Sequence, residues 1–258
     1  MGSNICLGNR AITKFITKAI FQPMIYIIFA ALAPVAVLFY YLYRKDDFQK
    51  EPVIELLKAF GLGVLSAFLS LCISIPLGIL GFFPSEPTGV LGAAAISFFS
   101  AAIPEEVAKF VLFWLLVRSN KYFDEHMDGI VYAAVVSLGF AALENVMYLF
   151  DSEDWVSTGI SRALFSVPGH MFFGILMGYY YSLVRFDPAT PLINYFWVLG
   201  APILAHGIYD TILFCAEVLP ETFSLAMMVV FLIFCNSLRK HASKRIRLHL
   251  VNDGVVNV

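Results

Sequence analysis

Glu105 and Glu106 stand side by side behind Pro104, and Glu144 closes the run Gly139-Phe140-Ala141-Ala142-Leu143-Glu144. His170 follows Val167-Pro168-Gly169, and His206 and Asp210 bracket Gly207-Ile208-Tyr209. Each of these ionisable residues lies in a long apolar stretch. A carboxylate at bilayer depth costs on the order of 3 kcal/mol or more unless it faces a polar cavity. One such residue is a local matter. This many, on four separate apolar segments, predict a polar chamber between helices.

The spacings suit acid–base work. Lys109 lies four residues after Glu105 and three after Glu106, within side-chain reach of both on a helix. His206 and Asp210, four apart, share a helical face. The aspartate can orient the imidazole, both can bind a metal, or both can exchange protons. Phe140 lies one turn from Glu144 on the same face. Gly174 and Gly178 form a small-residue face that lets another helix approach. A Ser/His/Asp arrangement and an HExxH helix are both missing from the sequence. Each group also has a purely structural reading: a packed ion triad, a helix–helix hydrogen bond, or a packing histidine.

The elements that must position these groups are apolar helices. The chain has 258 residues, 60% of them hydrophobic and only 14% charged, with mean hydropathy +0.80. A soluble domain has roughly 45–50% apolar and about 25% charged residues, so this composition is that of an integral membrane protein. Lys and Arg flank apolar spans rather than forming a basic domain, which excludes nucleic acid as a partner. Cys6, Cys72, Cys215 and Cys235 form no metal-binding spacing.

Spans of about 20 residues are predicted at 24–43, 54–82, 91–117, 129–150, 160–184, 191–216 and 222–238. The fold class is therefore all-α and polytopic, with about seven transmembrane helices around the chamber. Pro104 with two acids behind it is a helix-start pattern, so the third span is expected to be broken near Ile103. Residues 1–23 are expected to be an amphipathic interfacial segment, with Arg10, Lys14 and Lys18 opposite an apolar face. Residues 24–238 form the membrane domain, and 239–258 form a basic cytoplasmic tail. Lys and Arg follow the first, third, fifth and seventh spans, which places the N-terminus outside and the C-terminus inside. The three basic residues before the first span run against that rule.

Taken together, Glu105-Glu106-x-x-Lys109, Phe140-x-x-x-Glu144 and His206-x-x-x-Asp210 resemble the PrsW family of intramembrane proteases. Asp128-Gly129-Ile130-Val131-Tyr132, Pro168-Gly169-His170, Ala33-Pro34 and Glu51-Pro52 fit the resemblance, which runs from about Ala33 to Asp210. The family is related to the CAAX prenyl proteases. Lys109, Glu144 and Asp210 stand at the places that distinguish the PrsW branch. The resemblance implies cleavage of a membrane-anchored protein near its extracytoplasmic side, such as a single-span anti-sigma factor, by an enzyme of the bacterial cytoplasmic membrane.

On this reading Glu105 or Glu106 is the general base, and the other acts on it through like-charge repulsion. Lys109 keeps one of them ionised. His170 and His206 stabilise the oxyanion or bind a metal, Asp210 orients His206, and Glu144 is a second acid or a ligand. A divalent ion such as zinc would take His170, His206, Asp210 and Glu144. The metal-free form is preferred, because no strong ligand spacing exists. A proton- or ion-coupled transporter and a non-catalytic scaffold for partner helices remain as the other function classes.

Overall fold

The computed structural model describes residues 3–45 and 50–254, with side chains from Met24 onward except that of Ser224. The amphipathic face expected at residues 10–20 lies outside the described side chains. The order of elements is α1 (Ser3–Lys45), α2 (Val53–Ile79), α3 (Gly89–Ile96), a π-helical segment (Ser97–Ala102), α4 (Ile103–Val117), α5 (His126–Asp151), α6 (Trp155–Ser161), a second π-helical segment (Arg162–Ser166), α7 (Val167–Phe186), α8 (Ile193–Val218), a short 3-10 turn (Glu221–Phe223) and α9 (Ser224–Asn252). No strand occurs among the described residues.

Among those residues, six helices are long and apolar enough to cross a membrane. The remaining expected span, 91–117, is covered by α3, the first π segment and α4 in unbroken succession. The predicted break near Ile103 therefore takes the form of a change of helical winding, and no separate segment enters there. The N–H of Ile103 bonds to the carbonyl of Phe98, five residues back. Pro104 follows and has no N–H to offer, so the ladder is interrupted at that turn.

The same device recurs in the fifth span. The N–H of Val167 bonds to the carbonyl of Arg162, and Pro168 follows. Each π segment thus ends two residues before a proline, and each proline is followed within two residues by ionisable groups of the candidate site.

At the centre is α5, buried without interruption from Met127 to Ala142. A helix apolar on all sides can be packed on all sides, and small residues set how closely. A Cβ on Gly178 of α7 would run into the carbonyl of Gly129. One on Gly139 would meet the carbonyl of Phe60 in α2, and one on Gly63 would meet that of Val136. The glycine steps at 174 and 178 therefore face α5 and let α7 lie against it.

The start of α5 is held by a capping box between Glu125 and Asp128. Asp253, just past α9, adds to it by accepting the backbone N–H groups of His126 at 3.0 Å and Met127 at 2.9 Å. The basic stretch from residue 239 onward continues α9, with Ala242, Ile246 and His249 buried against the bundle.

Candidate active site

The ends of α4, α5, α7 and α8 that lie away from the basic loops enclose a cavity of about 370 Å³. Glu105, Glu144, Arg162, His170, His206 and Asp210 all line it. Of the seven candidate catalytic residues, Glu105, Glu144, His170, His206 and Asp210 line this cavity, and Glu106 and Lys109 lie behind it. Residues of both π segments also line it: Ser100 and Ala101 from the first, Arg162 and Ser166 from the second. Such segments concentrate at functional sites because they re-aim the side chains that follow.

Lys109 is the hub. Its ammonium is fully buried and donates to Glu106 Oε1 at 2.8 Å and Glu105 Oε2 at 3.3 Å. It also lies 3.2 Å from His170 Nδ1 and 3.9 Å from the centre of the Phe140 ring. A buried ammonium needs such partners, because without them its desolvation is not offset.

The adjacent glutamates point differently. The Glu105 side chain is 14% exposed and reaches the cavity, whereas Glu106 is wholly buried. Glu106 Oε1 also faces His206 Nδ1 at 2.9 Å, and its Oε2 has no hydrogen-bond partner.

His206 lies between carboxylates. Nδ1 faces Glu106, and Nε2 is 3.2 Å from Asp210 and 3.9 Å from Glu105. Phe173 stacks on the ring at 4.7 Å, which fixes its plane. His170 is held at both ends. With Lys109 donating to Nδ1, its proton sits on Nε2 and is donated to Glu144 at 2.7 Å. Asp210 and Glu144 thus each hold one histidine through its Nε2.

Ligand atoms of Glu105, Glu106, His170 and His206 lie within 4.8 Å of one another. The group differs from the expected set of His170, His206, Asp210 and Glu144. The reason is rotational: α4 turns both of its glutamates toward the histidines, while Asp210 and Glu144 approach them from the far side. Two imidazoles and two carboxylates are donors that zinc accepts, and the unpartnered Glu106 Oε2 offers a further lone pair. The residues fit a divalent ion.

Arg162 was not foreseen. Its guanidinium bonds to Glu144 at 2.7 Å and to Asn145 at 2.6 Å. A signal was present: it is the sole Lys or Arg between residues 122 and 184, at a span end where the charge rule disfavours one.

The family model described as PrsW family intramembrane metalloprotease matches residues 51–235. The chain is 38% identical to Protease PrsW of Geobacillus kaustophilus over 75% of its length and 82% of that protein's. It is 37% identical to Protease PrsW of Bacillus subtilis over 74% of its length and 84% of that protein's. It is 31% identical to the Protease PrsW of Clostridioides difficile over 79% and 84% of the two chains. No solved structure matches the chain.

Proposed function

Since the chain belongs to the PrsW family and is by that membership an intramembrane protease, we propose that it cuts a membrane-anchored protein near its extracytoplasmic side, with Glu105 as general base. The observation that carries this assignment is that Glu105 reaches the cavity while Glu106 is sealed behind it.

In this mechanism a water in the cavity gives a proton to Glu105 as its oxygen attacks the scissile carbonyl. His206, its plane fixed by Phe173 and its Nδ1 held by Glu106, passes the Nε2–H hydrogen bond that Asp210 accepts in the resting site to the oxyanion that forms. Collapse of the tetrahedral species breaks the C–N bond, and Glu105 returns its proton to the leaving amine. Lys109 and Glu106 form the fixed charge pair behind these groups.

A second reading is favoured by the convergence of four donor groups. A divalent metal would be held by Glu106, His170 and His206, and when bound it would polarise the carbonyl and acidify the attacking water. Metal analysis of the purified chain separates the two readings. The metal-free form carries no stoichiometric ion and ignores chelators. The metal-assisted form carries about one zinc per chain, lost together with activity in His206→Ala.

The activity itself is tested by reconstituting the full chain in liposomes with the single-span proteins of a bacterial inner membrane, then mapping new N-termini by mass spectrometry. New termini close to the outer membrane boundary are expected, and none with Glu105→Gln. Identical termini in both samples, or none at all, would overturn the proposal.

The orientation is proposed as N-terminus out and C-terminus in. It places the cavity in the outer half of the bilayer, near the acidic segment that follows α5. A reporter fused after Val258 is expected to be active only as a cytoplasmic fusion, and one inserted within 152–158 only as an external fusion.

A further inference from the structure

Glu144 Oε2 accepts two hydrogen bonds, one from His170 Nε2 and one from Arg162, both at 2.7 Å. The guanidinium is itself clamped. Its Nε donates to Asn145 Oδ1 at 2.6 Å, and its plane lies 4.1 Å from the centre of the Tyr148 ring. Asn145 in turn donates to the backbone carbonyl of Ala31 in α1 at 3.1 Å. An unbroken chain therefore runs from α1, outside the 51–235 family match, through Asn145, Arg162 and Glu144 to His170, and from there to Lys109.

We propose that Arg162 is a positioning residue for the reaction: it fixes Glu144, which holds the His170 ring in the Nε2–H tautomer with Nδ1 turned to Lys109. This rests on the reading of the cavity as the active site. Without Arg162, Glu144 keeps one partner where it had two, and its carboxylate can pivot about that single contact to His170. His170 then keeps Lys109 at Nδ1 but loses the fixed acceptor at Nε2 that holds its ring in place, and Lys109 loses a fixed partner. The role suits arginine in particular. Two donors of one planar group reach Glu144 and Asn145 together, which a lysine ammonium cannot reproduce with the same geometry.

The test pairs a spectroscopic readout with a rate. The full chain, labelled with ¹⁵N-histidine and reconstituted in liposomes, is studied by solid-state NMR, and the His170 signals are assigned by their loss in His170→Gln. A neutral ring with a single strongly hydrogen-bonded Nε2–H is expected in the parent chain, and its Nε2 signal is expected to shift and broaden in Arg162→Gln. Cleavage of the best-cut inner-membrane protein is expected to fall about 10–100-fold in rate constant, the usual scale for a supporting partner, with KM little changed. Arg162→Lys keeps a charge on Glu144 and is expected to retain the Nε2 signal and an intermediate rate. Asn145→Ala frees one arm of Arg162 and gives a smaller change of the same kind, which covers an Arg162→Gln chain that does not fold. An unaltered His170 signal in Arg162→Gln overturns the proposal whatever the rate. A parent chain that shows the expected ring but cuts nothing overturns the active-site reading instead and leaves the NMR comparison to decide the role of Arg162.

Discussion

Replacing Glu105 by Gln is expected to lower cleavage by about 10²–10⁴-fold, the range for loss of a general acid or base, while the melting temperature in detergent stays near that of the parent chain. Its side chain borders the cavity and holds Lys109 only at 3.3 Å. Glu106→Gln is expected to lower cleavage as well, but at a cost in stability. Glu106 is fully buried and makes the shorter contact to Lys109 and the contact to His206. Breaking one partner of a buried ion pair leaves the other uncompensated. The two variants should thus resemble each other in rate and differ in melting temperature. Full activity in Glu105→Gln would reject the base assignment.

Lys109→Met is expected to have the largest effect on stability. Methionine fills a similar volume and removes the charge on which Glu105, Glu106 and His170 converge. Loss of one partner of a buried pair costs about 3–5 kcal/mol, which for a chain of this size is a melting-point drop on the order of 10 °C. Thermal unfolding in detergent measures it. The double variant Lys109→Met with Glu106→Gln removes both members of the pair and is expected to recover part of the loss. A Lys109→Met chain that melts with the parent would mean that the hub carries no structural weight.

Much of this arrangement was legible in the sequence because helices convert spacing into direction. The intervals Glu105–Lys109 and Glu106–Lys109 already implied their contacts, as His206–Asp210 did. The apolar runs gave the order of the spans, and Pro104 marked where one of them changes. What escaped depended on how helices turn toward one another. Adjacent glutamates diverge by about 100° around an axis, so only packing decides which one meets the cavity. The Glu106–His206 contact joins residues 100 positions apart, and no local pattern encodes it. The capping of α5 by Asp253 spans 127 positions. No local spacing ties Arg162 to Glu144 and Asn145, 18 and 17 positions away.

The two π segments make the site a matter of helical winding as well as residue type. A π turn holds one more residue than the α turn it replaces, and each surplus residue rotates everything downstream by about 100° relative to a regular helix. Ser97–Ala102 sets the phase of Glu105, Glu106 and Lys109, and Arg162–Ser166 sets that of His170. A chain of the same length wound as a plain α-helix through either segment would keep every motif intact to the eye. It would nevertheless turn those groups away from one another. What the two segments store is an angular offset, invisible in any motif and shared by every residue that follows it on the same helix.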